Sequence, residues 1–152
     1  MSDDSLQYIP MERWEELERV FEADWPQSIS VLTALKTQRQ IATLGLGYGF
    51  KVYCPYGLPA NGMVALNKKD NFNEIIIYCG INNIKNLENA LMSTKLVDWR
   101  SPLTIPFLPE HLFKSIEKVA PKLNVEIEND GDHPLYQVVL LDKGTPLFEN
   151  IT

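Results

Sequence analysis

The stretch "NEIIIYCG", residues 73–80, sets four β-formers in a row, Ile75 to Tyr78, with no polar break. Such a run belongs at the centre of a sheet. The segments around it supply the rest. "FKVYCP" and "GMVALN" read as short strands separated by the turn-rich "YGLPAN". "LNVEIEN" and "LYQVVLLDK" read as two closing strands joined by the turn "NDGDHP". "PLTIPF" is extended and punctuated by prolines, which assigns it to an edge or a connection.

Helices alternate with these strands. Pro10 fits a first turn, and "MERWEELERVFEADW" then aligns Trp14, Leu17, Val20 and Phe21 on one face, with Glu12, Glu15, Glu16 and Glu18 on the wet one. Trp25-Pro26 interrupts, because a residue before proline avoids helical geometry. A second helix follows over "PQSISVLTALKTQRQIATL" with Ile29, Leu32 and Leu35 inward. "INNIKNLENALMSTK" brings Ile84, Leu87 and Leu91 into register. "LPEHLFKSIEKVA", starting at Pro109, does the same with Leu112, Phe113, Ile116 and Val119. The expected fold class is α/β (α+β): a mixed, largely antiparallel sheet covered by about four helices. At 152 residues the chain reads as a single domain, 1–152, with no internal repeat.

Charge and cysteine content narrow the function classes. Twenty acidic against 14 basic residues leave a net charge of −6, the wrong balance for a nucleic-acid binder. The densest basic groups are Lys68-Lys69 and Lys114/Lys118/Lys122, and the second follows the spacing of a solvated helix face. No apolar run reaches the ~20 residues of a membrane span. "MSDDSLQYIP" carries neither a basic nor an apolar targeting region, so the expectation is a cytoplasmic protein with no membrane partner. Cys54 and Cys79 form neither a zinc pattern nor a redox pair and read as reduced, semi-buried thiols.

"ATLGLGYGF", residues 42–50, sets Gly45, Gly47 and Gly49 at alternate positions just after the basic pair Lys36 and Arg39. A phosphate-cradling loop runs from strand to helix, so that free N–H groups face the anion. Here a helix ends and a strand begins, which turns the carbonyl end of the helix toward any anion. Gly45 therefore reads as a left-handed helix cap, and Gly47 and Gly49 as a bend at the strand entry.

No catalytic, cofactor-binding or metal-binding residue is assigned. His111 in a helical first turn reads as structural or solvated. His133, with Asp130 and Asp132, reads as a polar hairpin turn without calcium-loop spacing. Tyr53, Tyr56, Tyr78 and Trp99 read chiefly as core, and Leu147 and Phe148 as candidate contacts for a partner.

Two stretches together carry a likeness to a known family. "ALNKKDNFNEIIIYC" (65–79) and "LMSTKLVDWRSPLTI" (91–105) resemble the N-terminal half of glycine N-acyltransferases and their insect relatives, within the GNAT superfamily. Phe72, Ile75–Ile77, Leu96, Val97 and Trp99 fall on the family pattern, as does the helix-proline-helix start around Pro26. Lys69 and Asp70 stand where that family has Trp-Pro. The acyl-CoA signature (Arg or Gln, two residues, Gly, one residue, Gly or Ala) meets only Ala42-Thr43-Leu44-Gly45-Leu46-Gly47, where Ala42 replaces the Arg or Gln. The resemblance implies a degenerate GNAT-like domain, itself non-catalytic and without a cofactor. It would pack against a C-terminal GNAT domain that holds acyl-CoA and transfers the acyl group. The alternative is a stand-alone interaction module of the same descent, whose partner is another protein or a second copy of itself.

Overall fold

The computed structural model describes residues 4–46, 49–69, 73–129 and 136–140. Its elements run β1 (Leu6–Ile9), α1 (Trp14–Ala23), α2 (Ile29–Thr43), β2 (Phe50–Pro55), β3 (Met63–Lys68), β4 (Asn73–Tyr78), α3 (Ile84–Ser93), β5 (Leu103–Ile105), α4 (Glu110–Val119), β6 (Val125–Asn129) and β7 (Tyr136–Leu140). The strands form one seven-stranded sheet in the order β1-β2-β3-β4-β5-β7-β6. The expected mixed, largely antiparallel sheet with four helices is what the chain forms. Its one parallel pairing joins β4 to β5.

The unbroken run Ile75–Tyr78 is buried throughout and lies in the fourth of seven strand positions. Cross-strand register sorts the residues around it onto two faces. Val52, Ala65 and Ile76 share one face, as do Met63 and Tyr78, and helix α1 lies against it. There Trp14 meets Phe50 edge-on at 5.7 Å and Phe21 meets Tyr78 at 5.5 Å. The opposite face carries Val64 with Ile77, Leu66 with Ile75, and Leu103 with Val138. Helices α3 and α4 pack on each other, and α4 lies over β6, with Phe113 against Tyr136.

Four local readings are corrected. Strand β1 falls in a segment that sequence patterning leaves unassigned, because four residues carry too short an alternation to stand out. Its pairing partner β2 is distant in sequence; Ser5, just before it, donates through Oγ to the Ala90 carbonyl at 2.8 Å, and Trp14 Nε1, five residues on, donates to the Ile9 carbonyl at 3.1 Å. Strand β5, expected at an edge or in a connection, lies inside the sheet between β4 and β7. Its prolines, Pro102 and Pro106, flank the three paired residues and remove no donor from them. Finally, α2 turns Val31, Leu32 and Leu35 inward while Ile29 stays outside, and Glu18 of α1 is buried although its neighbours Glu12 and Glu15 are wet.

Glu18 is buried because α2 brings a cation to it. Arg39 Nη2 lies 2.8 Å from Glu18 Oε1, and Lys36 Nζ lies 3.6 Å from Glu22. The basic pair next to the glycines is thus spent on joining α1 to α2.

The glycines hold the turns. Gly45 adopts φ +77°, its N–H bonds the Ala42 carbonyl, and the Leu46 N–H bonds that of Ile41 at 3.1 Å. These two bonds make a Schellman cap, which needs a left-handed residue and closes the carbonyl end of α2. A Cβ on Gly49 would approach the Lys68 carbonyl oxygen to 2.8 Å, so this glycine permits close entry into the sheet. Gly47 lies outside the described residues. Gly62 is more confined: φ is +95°, and a Cβ would sit 2.1 Å from the Tyr78 carbonyl oxygen.

Urea unfolding checks the difference. Gly45→Ala should lose about 1 kcal/mol, the cost of a left-handed alanine in open space, whereas Gly62→Ala adds a backbone clash and should lose about 3 kcal/mol. Equal losses would contradict the close approach at Gly62.

Candidate functional site

A sheet that changes from antiparallel to parallel pairing has a natural crevice where the parallel strands part at their carboxyl ends. Here β4 and β5 are paired only at Asn73 with Leu103 and at Glu74 with Thr104. Beyond that point β4 continues to Tyr78, while β5 ends at Ile105 and the chain turns through Pro106–Pro109 into α4. The result is a fork, open toward the ends of both strands.

The fork is occupied by the protein's own side chains. Tyr78, at the tip of β4, is buried and donates its hydroxyl proton to the Asp24 carboxylate at the end of α1. Burial, then the hydrogen bond to Asp24 and its charge, hold the phenol well above its ordinary range. It is therefore a fixed donor and unsuited to act as a base. From the other side, His111 Nε2 donates to the Cys79 carbonyl at 2.9 Å, and its ring stands edge-on to Tyr78 at 5.7 Å. His111, expected as structural or solvated, serves as the bolt between the first turn of α4 and the end of β4.

Two spaces remain around Tyr78. One, of about 220 Å³, is lined by Val31, Phe107, Leu108, Pro109 and Tyr136, with Gln27 and Ser30 as its polar groups besides Tyr78. It falls below the ~300 Å³ at which small-molecule sites begin. The other, of about 370 Å³, lies between Phe21, Asp24, Gly62, Gly80 and Ile81. Among the described residues no lysine or arginine lines either space, and Asp24 brings a carboxylate to one of them. A pyrophosphate would find no counter-charge there.

The cysteines stand apart from this chemistry. Both are fully buried, and desolvation pushes each thiol up to about 12. They are more deeply placed than the semi-buried reading of the sequence. Among the described residues no cluster of three or more His, Cys, Asp or Glu could hold a metal ion. His133, Asp130, Asp132, Leu147 and Phe148 lie outside the described residues. Tyr53 and Tyr56 lie near the β1 and β2 edge, away from the fork, and Trp99 is half-buried, its Nε1 without a hydrogen-bond partner among the described residues. The fork itself was not foreseen from the sequence. The signal for it is the proline-bounded Leu103–Ile105, which becomes informative only once paired with β4. No described helix is long and apolar enough to cross a membrane.

Comparison with solved structures finds a similar fold in a Drosophila melanogaster protein determined by X-ray crystallography as a structural-genomics target. The two share 14% identity with a TM-score of 0.66, and the match covers 82% of this chain and 48% of that one. This chain thus matches about half the length of the Drosophila protein. No family model matches the sequence, and no curated protein does.

The thiol environment has a direct chemical readout. Ellman's reagent should leave Cys54 and Cys79 unmodified in the native protein at pH 8, because the thiolate fraction at a pKa of about 12 is negligible and the sulfurs are out of reach. Both should react on unfolding in guanidinium. Rapid native labelling of either would disprove its burial.

Proposed function

We propose that this chain is the non-catalytic half of a GNAT-type, glycine N-acyltransferase-like enzyme. It would support acyl transfer carried out by a C-terminal domain that holds the acyl-CoA. The observation that carries the reading is the fork between β4 and β5: a crevice of the kind that binds ligands in α/β sheets, here filled by Tyr78, Asp24 and His111. The Drosophila protein of similar fold is about twice as long as the matched region, which fits a chain that functions beside further structure.

The acyl-CoA signature supports the same reading by its failure. The described part of that frame, Ala42–Leu46, begins in the last turn of α2 and runs through its Schellman cap, so it faces helix carbonyls. One strand-to-helix turn with the proper order of elements is Cys79-Gly80, between β4 and α3, and its end is held by His111.

An alternative reading, a stand-alone interaction module of GNAT-like descent, draws on the surface beside the fork. Trp25 is 60% exposed, Ile29 47% and Ile81 70%; Ile81 lines one of the two spaces around Tyr78, and Trp25 and Ile29 adjoin in sequence residues that line them. Apolar side chains so exposed suit a docking surface under either reading.

Calorimetric titration with CoA, acetyl-CoA and benzoyl-CoA at low salt tests the non-catalytic assignment. The expected result is no saturable heat, and no CoA thiol released from acetyl-CoA in the presence of glycine. Binding tighter than ~100 µM, or about 5.5 kcal/mol, would overturn it.

A further inference from the structure

On the sheet face opposite Tyr78, register gathers a second group of side chains that the acyltransferase reading does not use. Lys51 pairs with Leu66 and then Ile75, and Lys68 pairs with Asn73 and then Leu103, so both lysines project on the same face from neighbouring strands. The connection between α3 and β5 passes over this face and closes a cavity of about 440 Å³. That volume lies within the range of small-ligand sites, ~300–1,000 Å³.

The cavity is amphiphilic. Leu66, Val97 and Leu103 supply apolar lining, with Val97 and Leu103 buried. The exposed Lys51 and Lys68 stand at the outer end, and Asn73 and Ser101 add polar contacts. Tyr53 lies among the lining residues with its ring edge-on to Tyr8 at 5.9 Å. Its phenol is held above the ordinary range, first by burial and then by the neighbouring Tyr8 and Asp4, and so remains a hydrogen-bond donor.

The charges are unevenly spent. Lys69, the next residue, reaches Glu74 at 3.9 Å. Among the described residues neither Lys51 nor Lys68 has an ion-pair partner. Asp98 also lines the cavity, but its Oδ1 accepts the Arg100 N–H at 3.1 Å within its own turn. Two ammonium groups therefore face one committed carboxylate.

We propose that this cavity binds a small amphiphilic anion, an unbranched aliphatic carboxylate whose head lies between Lys51 and Lys68 and whose tail lies along Leu66, Val97 and Leu103. Head and tail are both needed. Two exposed lysines alone hold a carboxylate weakly in water, because each contributes little against solvent screening. The apolar lining adds the burial of the tail, which grows with each methylene removed from water. The site is independent of the acyltransferase reading, since it uses neither the fork nor any residue that fills it.

Sodium octanoate is the probe, with acetate and 1-octanol as controls lacking the tail and the charge. Octanoate should saturate below ~1 mM by NMR titration, moving the methyl signals of Leu66, Val97 and Leu103, while both controls bind at least about tenfold more weakly. The double variant K51Q/K68Q, altered only at exposed positions, should keep its Tm and lose octanoate affinity by about tenfold or more. Failure to saturate, octanol matching octanoate, shifts confined to other residues, or undiminished binding by the folded variant would each overturn the site.

Discussion

Two residue pairs, Asn73 with Leu103 and Glu74 with Thr104, join the two halves of this sheet. On one side lies the antiparallel set β1 to β4, on the other the antiparallel set β5, β7 and β6. A parallel joint cannot be closed by a hairpin, so the chain crosses over through α3 before β5 can pair. The joint is also short. Past Glu74 the strands separate, and the carbonyl end of β4 would lack a neighbour if nothing else reached it. An unpaired buried carbonyl costs about 1–3 kcal/mol, which gives the chain reason to close the gap.

The closure comes from both layers of helices. His111 reaches the Cys79 carbonyl from α4, while Asp24 at the end of α1 receives the Tyr78 hydroxyl. Gly62 lets the turn before β3 approach the same Tyr78 carbonyl region, where any side chain would collide. Nearby, the buried Asn61 donates to the Pro55 carbonyl and accepts from Asn83 and Asn86, tying that turn to the start of α3. The fork is thus a structural joint. The proposed role as a supporting domain draws on that closure.

Charge follows the same economy. Paired acidic residues clamp helices together, with Glu18 to Arg39 and Glu22 to Lys36 between α1 and α2. Between α3 and α4, the buried Glu88 takes the Ser115 hydroxyl at 2.7 Å and lies 3.2 Å from Lys118. A group of lysines read as a solvated face thus contributes one member to an inter-helix clamp. Among the described residues Lys51 and Lys68 are left without such duty, lining the amphiphilic cavity.

The sequence by itself determined the elements whose signals are local. The run Ile75–Tyr78 marked the central strand, Pro109 marked the start of α4, and Gly45 marked the end of α2, because propensity, ring geometry and left-handed caps act within a few residues. The exposed Ile29, the buried Glu18 and the interior place of β5 were not legible, since each depends on a partner tens of residues away. The candidate sites were least legible of all. His111 and Cys79 lie 32 positions apart, and Lys51 meets Lys68 only because β2 and β3 pair in one register. Slipping a strand by a single residue would turn its side chains to the other face. Tertiary structure alone decided which lysines share a cavity and which side chains fill the fork, because register and crossover are set by the packing of the whole sheet.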